Sequence, residues 1–247
     1  MNAMIFAAGL GTRLRPLTDF KPKALVEVGG RPMIDHVVDR LVEAGVYTIV
    51  VNVHHPGQMI VDHLNATGRS DVNFIISDET DMLLDTGGGI LKARQFLDGD
   101  QPFIVHNADI LTDVNLHRMV EAHISSTADV TLLTKERKSS RQLLFDPGTE
   151  RMLGWTNLTT GEVKPASIEP AGMKMRAFGG IHVISPSVFG MLEQYSAEPR
   201  FSIMPFYIDN CKELVIKGYE PTEKYMWHDI GSIDKLNAAE EEMCNGR

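Results

Sequence analysis

The chain has few cysteines, no basic excess and no long apolar run, and each shortage excludes a class of protein. Cys211 and Cys244 are the only cysteines. They are too few for a disulfide framework and lack metal-ligand spacing, which fits a reducing, cytoplasmic setting. Acidic residues outnumber basic ones, 33 against 24, for a net charge of −9. Nonspecific attraction to nucleic acid is therefore not expected. The apolar start of Met1-Asn2-Ala3-Met4-Ile5-Phe6-Ala7-Ala8 ends after a few residues in a glycine turn. It is neither a signal peptide nor a membrane span. No internal repeat, low-complexity tract, charge block or Ser/Gly/Pro-rich linker divides the 247 residues. One domain over residues 1–247 is expected.

What is present alternates. Met4 to Ala7 reads as a buried strand that stops at Gly9. Met33, Val37, Leu41 and Ala44 mark one face of a helix from Pro32 to Ala44, with Gly45 after it. Thr48 to Val53 is rich in β-branched residues and reads as a strand. A helix over Pro56 to Leu64, a strand over Val72 to Ile76, and a helix opened by Gly87, Gly88 and Gly89 and running through Phe96 follow. Phe103 to His106 is a strand ending at Asn107, Ala108 and Asp109. A helix over Leu116 to His123 leads to a strand over Asp129 to Leu133. This alternation predicts an α/β fold, a Rossmann-like, mostly parallel mixed sheet with helices on both faces. After about residue 134 the pattern turns α+β. A hairpin is expected from Leu143–Phe145 and Met152–Trp155, then a strand over Ala177–Ile184 and a helix over Ser187–Gln194. Strands at Leu214–Ile216 and Tyr225–Asp229 precede a closing helix capped by Ser232. This second half is expected to lay a substrate-binding layer over the first.

The segment Ala7-Ala8-Gly9-Leu10-Gly11-Thr12-Arg13-Leu14-Arg15-Pro16-Leu17-Thr18 carries the most chemistry. A strand that stops at a glycine loop exposes backbone N–H groups, and glycine lets that backbone approach a phosphate. Arg13 and Arg15 offer planar, charge-assisted donors, and Lys21 and Lys23 add compact cations. Together they outline a triphosphate pocket on an otherwise acidic protein. A tight turn with solvated arginines is the plainer alternative. The dinucleotide fingerprint G-x-G-x-x-G is broken, since Leu14 stands where the third glycine would be, and a P-loop is absent. An NAD-dependent enzyme is accordingly disfavoured.

Asp109 and Asp229 each follow an apolar run at a strand end, where ligands of such sheets bind. Two carboxylates converging with phosphate make a credible Mg²⁺ site. A turn-forming or helix-entry aspartate is the competing reading of each. Asp85-Thr86-Gly87-Gly88-Gly89-Ile90 follows a strand, and its glycines leave room for a base to lie against the backbone. A plain strand-to-helix turn explains the same residues. His54, His55, His106 and His228 have no zinc-ligand spacing. The thirteen methionines read as core filling.

These motifs make the chain recognisable. The segment above, with Lys21-Pro22-Lys23-Ala24-Leu25-Val26-Glu27-Val28-Gly29-Gly30-Arg31-Pro32-Met33-Ile34, resembles the signature of the sugar-1-phosphate nucleotidyltransferase family. The likeness continues through Asp109 to Asp229. It implies a nucleotide-diphospho-sugar transferase fold and a reaction between a nucleoside triphosphate and a sugar 1-phosphate with Mg²⁺ as cofactor. Nucleic acid and membrane are not implied as partners, and the protein is expected to be a monomer or small homo-oligomer. The resemblance places catalytic roles on Arg13 and Lys23 and metal ligation on Asp109 and Asp229. It places nucleotide contacts on Ala8, Gly9, Gly11, Thr12, Gly87 and Gly88, and sugar contacts on Asn107 and Gly180. Residues 1 to about 134 become the nucleotide-binding half and about 135 to 247 the sugar-binding and closing half. The short stretch after Asp229 leaves no expected room for the C-terminal β-helix of some relatives. Within the family the chain looks most like the short N-acetylmuramate 1-phosphate uridylyltransferases of cell-wall recycling, which implies UTP as the preferred nucleotide. One segment departs. Many relatives carry V-E-K-P, whose Glu and Lys contact the sugar phosphate. The corresponding strand here is Leu153-Gly154-Trp155-Thr156-Asn157, with Lys164-Pro165 nearby. Phe178-Gly179-Gly180-Ile181 resembles the F-x-G-I strand of the sugar pocket. GTP with mannose 1-phosphate, CTP with phosphocholine, and a non-catalytic nucleotide-sugar sensor remain alternatives. Intact Arg13, Lys23, Asp109 and Asp229 argue against the sensor.

Overall fold

The computed structural model describes residues 1–245. Its backbone is a ten-stranded mixed sheet. Strands Asn2–Phe6, Thr48–Val53, Asn73–Asp78 and Phe103–Asn107 run parallel to one another. The long strand Lys174–Ile184 joins them antiparallel along Phe103–Asn107, and also pairs with Val130–Lys135 and Arg141–Phe145. Parallel among its N-terminal strands and mixed overall, the sheet has the expected class.

Side-chain alternation explains why it is covered on both faces. Ala3, Ile5, Ile49, Val51 and Ile104 pack with Ile34, Val37, Val38 and Leu41 of the helix Met33–Glu43. Their neighbours Met4, Val50, Phe103 and Val105 point the other way, against Phe189, Leu192, Phe206 and Tyr207. Ile49, Val50 and Val51 are fully buried, and each such burial contributes about 1.5–3 kcal/mol. The helix Met33–Glu43 stops where Gly45 takes φ +82°. Gly45 N donates to Val42 O and Val46 N to Leu41 O, the Schellman closure that glycine favours. A third, smaller core of Leu14, Val26, Val28, Met33, Leu111, Ile230 and Leu236 anchors the N-terminal loop against the closing helix Ile233–Asn245.

The expected hairpin is present and longer, Arg141–Phe145 with Met152–Asn157. Local boundaries differ, and the strand expected at Tyr225–Asp229 is Trp227–Asp229. The strand expected at Leu214–Ile216 is Ile216–Tyr219. The helix expected from Pro56 begins at Gln58. The helix expected after the glycine triplet begins earlier, as Asp85–Lys92, holds the glycines inside it, and gives way at Ala93 to Arg94–Leu97. The helix Ile203–Asp209 was not anticipated. Pro205 reads as a breaker, yet in a first turn the missing N–H costs nothing because that group has no intrahelical partner anyway.

Among the described residues, no helix is long and apolar enough to cross a membrane. Cys211 is buried, Cys244 is exposed, and neither is in a disulfide.

Candidate active site

A cleft of about 480 Å³ opens at the C-terminal ends of the parallel strands. Ala8, Gly9, Gly11, Thr12 and Arg13 form one wall. The first strand ends at Phe6 because the backbone there turns to a side chain: Ala7 N and Ala8 N both donate to Asn52 Oδ1, at 2.8 and 3.4 Å. Gly11 sits at φ +61°, and a Cβ there would lie 2.9 Å from Lys23 Cβ. Only glycine meets both demands. The turn it permits, closed by Leu14 N to Gly11 O at 2.9 Å, buries Leu14 and leaves Arg13 beside the cleft.

Asn107, Ala108 and Asp109 line the floor. A short antiparallel pair absent from the sequence reading, Ile110–Thr112 with Trp227–Asp229, sets Asp229 opposite Ile110. Ile230 N then donates to Asp109 O at 2.8 Å. Two aspartates 120 positions apart in the chain are thereby neighbours. Lys23 Nζ is hydrogen-bonded to Asp109 Oδ2, and both side chains are largely buried. Lys235 Nζ donates to Asp229 Oδ2 at 2.6 Å. Gly231 admits the arginine to this corner: a Cβ on it would lie 2.9 Å from Asp229 Oδ1 and 3.1 Å from Arg13 Nη2.

The two carboxylates are hard oxygen donors. No His or Cys joins them, and among the described residues no group of three His, Cys, Asp or Glu is poised to hold a metal. That donor set suits Mg²⁺, which completes its shell with water and phosphate oxygens, and does not suit zinc. His106, under the floor, is fully buried, and burial pushes it down to about 4. It is therefore neutral at pH 7.

Some expected residues lie elsewhere. Arg15 pairs with Asp19 and Lys21 with Glu27, both on the surface. They leave Arg13 and Lys23 as the loop's cations in the cleft. Gly180, at φ +80°, adjoins the floor, since a Cβ there would lie 3.2 Å from Asn107 Nδ2. Lys164 ends the strand Glu162–Lys164, pairs with Glu162 at 3.2 Å and is half exposed.

Gly87 and Gly88, expected to contact the nucleotide, do not line the cleft. Both N–H groups donate to Phe201 O, at 2.9 and 3.2 Å. The space beside them is filled by Phe201 and the Pro199 carbonyl. They face a loop, and the cleft wall here is Leu83, Asp85 and Thr86. The docked loop delivers a residue the sequence reading missed, Arg200, which lines the cleft. Asn52 and Glu79 were missed too. Glu79 is 1% exposed and accepts from Asn52 Nδ2 at 2.8 Å and Leu84 N at 2.9 Å. It ties the first loop to the Leu83–Thr86 wall.

This arrangement makes the sign of one substitution diagnostic. Gly→Ala within a helix ordinarily stabilises by about 1 kcal/mol. At Gly88 the new methyl would lie 2.1 Å from Pro199 O, and such overpacking costs about 1–3 kcal/mol. Gly88→Ala is expected to lower Tm by several degrees and to raise the nucleotide KM, because Arg200 moves with the displaced loop. Thermal melts and steady-state kinetics check it. An unchanged Tm with unchanged KM would refute the docking role.

The cleft thus gathers Arg13, Lys23, Arg200 and Asp109, with Asp229 held beside Gly231 at its edge. The model of the nucleotidyl transferase family matches residues 2–246, and the chain belongs to that family. It is 33% identical over 246 residues to an N-acetylmuramate alpha-1-phosphate uridylyltransferase of Caulobacter vibrioides, covering 96% of this chain and 95% of that protein. It is 31% identical to a mannose-1-phosphate guanyltransferase of Schizosaccharomyces pombe, covering 94% of this chain but 61% of that protein. A UDP-glucose pyrophosphorylase solved with UDP-glucose shares the fold at TM-score 0.78 and 18% identity, covering 100% of this chain and 99% of the other.

Proposed function

We propose that this sugar-1-phosphate nucleotidyltransferase couples UTP to N-acetylmuramate 1-phosphate, or a closely similar amino-sugar 1-phosphate, and releases pyrophosphate. The reading of the reaction rests on one observation: the antiparallel pair that brings Asp229 beside Asp109, with Lys23 and Arg13 at the same corner. The choice of substrates rests on likeness to a uridylyltransferase over nearly the full length of both chains.

The reaction is an in-line displacement. A phosphate oxygen of the sugar 1-phosphate forms a bond to the α-phosphorus, and the bond from that phosphorus to the bridging oxygen of pyrophosphate breaks. The nucleophile is already anionic, so no general base is required; positioning and charge neutralisation carry the catalysis. Ala8, Gly9, Gly11 and Thr12 cradle the triphosphate, and Arg13 and Lys23 neutralise the transferring and departing groups. Asp109 and Asp229 are the residues that would hold Mg²⁺, which supplies charge stabilisation to phosphate oxygens. Asn107 and Gly180 carry the sugar side.

GTP is the competing nucleotide. Glu79 lines the cleft, and an acceptor-only carboxylate complements the two adjacent N–H donors of guanine. Glu79, however, is 1% exposed and is committed to bracing Asn52 and Leu84 N. The guanyltransferase likeness also covers only 61% of that relative, against 95% of the uridylyltransferase, so UTP is retained. The test is a competition assay with equimolar UTP, GTP, CTP, ATP and dTTP against N-acetylmuramate, N-acetylglucosamine, glucose and mannose 1-phosphates. UDP-N-acetylmuramate is expected to dominate. Dominant GDP-mannose would overturn both halves of the reading, and dominant UDP-glucose would keep the nucleotide and discard the sugar.

A further inference from the structure

Beyond the cleft, two cations lie against two aromatic rings. Lys135 Nζ is 4.5 Å from the centre of the Tyr225 ring and 5.8 Å from that of Trp227. The Arg137 guanidinium carbon lies 5.2 Å from the Trp227 centre. Neither cation is in an ion pair among the described residues. The nearby carboxylates are engaged elsewhere, Glu220 at 2.8 Å and Glu136 at 3.7 Å from Arg176. A ring holds a cation by its quadrupole without neutralising it, so both charges remain available.

Two polar groups in this cluster are buried without partners, Arg137 Nε and the Tyr225 hydroxyl. Unsatisfied buried donors are unfavourable, and native folds keep few without a reason. Burial, with Glu220 adding to it, pushes Tyr225 up to about 12, so its O–H remains a donor at pH 7. Beside the guanidinium a depression opens, whose lining includes Arg137, Lys138, Ser139, Ser140 and Gln142, with Glu136 as its one carboxylate.

The cluster is tied to the sugar side of the cleft by one stretch of strand. Arg137 Nη2 donates to Phe178 O at 3.3 Å, and Trp227 Nε1 to Gly179 O at 2.9 Å. The next residue, Gly180, adjoins Asn107 on the floor. Trp227 is also two residues before Asp229 on one strand, so the two side chains share a face.

We infer that Lys135 and Arg137, held over Tyr225 and Trp227, form an anion subsite that recognises a carboxylate carried by the acceptor sugar away from its 1-phosphate. The planar guanidinium matches a carboxylate in geometry, and Lys135 adds a point charge. The subsite rests on the proposed reading of the acceptor and names the residues that select it. Lys135 and Arg137 are specificity residues in this scheme, remote from the reacting phosphorus.

The test compares binding of N-acetylmuramate 1-phosphate with that of N-acetylglucosamine 1-phosphate, which lacks the carboxylate. Binding is followed by tryptophan emission, since Trp227 lies in the subsite, in the wild-type protein, Arg137→Met, Lys135→Met and Arg137→Lys. The wild type is expected to prefer the carboxylate-bearing sugar by about tenfold or more. Arg137→Met is expected to erase that preference, with Lys135→Met weakening it and Arg137→Lys restoring part of it, as the loss of a charge-assisted pair implies. Thermal melts establish that each variant is folded, and Lys135→Met carries the test if Arg137→Met is not. A variant that keeps the full preference overturns the subsite and leaves the acceptor reading intact. A wild type that binds both sugars equally overturns the subsite together with the acidic acceptor, whatever nucleotide the competition assay selects.

Discussion

Asp109→Asn and Asp229→Asn are each expected to lower turnover by roughly a hundredfold or more while the fold survives. Asparagine keeps the shape and removes the negative charge that would hold a divalent cation. The backbone that unites the two positions does not depend on either side chain. Asp229 stays opposite Ile110 through the strand pair, and Ile230 N still donates to Asp109 O. The variants should differ in stability. The Asp229 pair with Lys235 has a half-exposed lysine, and such surface pairs contribute about 0–1 kcal/mol. Lys23 is only 13% exposed, so Asp109→Asn leaves a largely buried cation short of its anion and should lower Tm more. Steady-state assays over a range of Mg²⁺ with parallel thermal melts separate the two effects. Asp19→Asn, at a surface pair with Arg15, serves as the neutral control. Near wild-type turnover of either cleft variant at saturating Mg²⁺ would remove the metal role from that residue.

The parts of the fold legible in the sequence are those set by local periodicity. Thr48–Val53 is a strand because its β-branched run suits a sheet buried on both faces. The helix Met33–Glu43 follows from a 3.6-residue apolar stripe and a glycine stop. The site was legible where chemistry is concentrated in a short stretch, as between Ala8 and Lys23. It was not legible where partners are distant in sequence. Nothing near Gly87 and Gly88 announces that they dock Phe201, more than a hundred residues away; the local reading left a base contact and a plain turn both open, and the resemblance chose the base. Arg200 sits in an irregular loop whose position is set by that docking. Asn52 did leave a signal: a lone amide inside the run Thr48–Val53 must find partners when buried. Those partners, Ala7 N, Ala8 N and Glu79, tie together the walls of the cleft.

Arg13→Ala is expected to reduce kcat by about a hundredfold and to change the nucleotide KM far less. The expectation follows from how the side chain is held. Gly11 in its left-handed turn and the buried Leu14 fix the backbone on either side. The guanidinium then reaches the corner where Gly231 leaves room beside Asp229. In the proposed reaction, a cation fixed at the end of the site where Asp109 and Asp229 adjoin meets the phosphoryl group being transferred. Its interaction strengthens as charge shifts toward the leaving pyrophosphate. An interaction stronger in the transition state than in the ground state appears in kcat, whereas uniform binding appears in KM. Removal of one such preorganised donor typically costs about a hundred- to a thousandfold. Ground-state binding loses less, because the loop amides, Lys23 and Arg200 remain in the cleft. Gly231→Ala offers an independent check. Its methyl would lie 3.1 Å from Arg13 Nη2 and 2.9 Å from Asp229 Oδ1, so it should push the arginine and that carboxylate apart and reproduce part of the kcat loss with every charge intact. Raised KM with unchanged kcat in Arg13→Ala would make the residue a ground-state anchor. A silent Gly231→Ala would mean that the arginine acts from somewhere other than this corner.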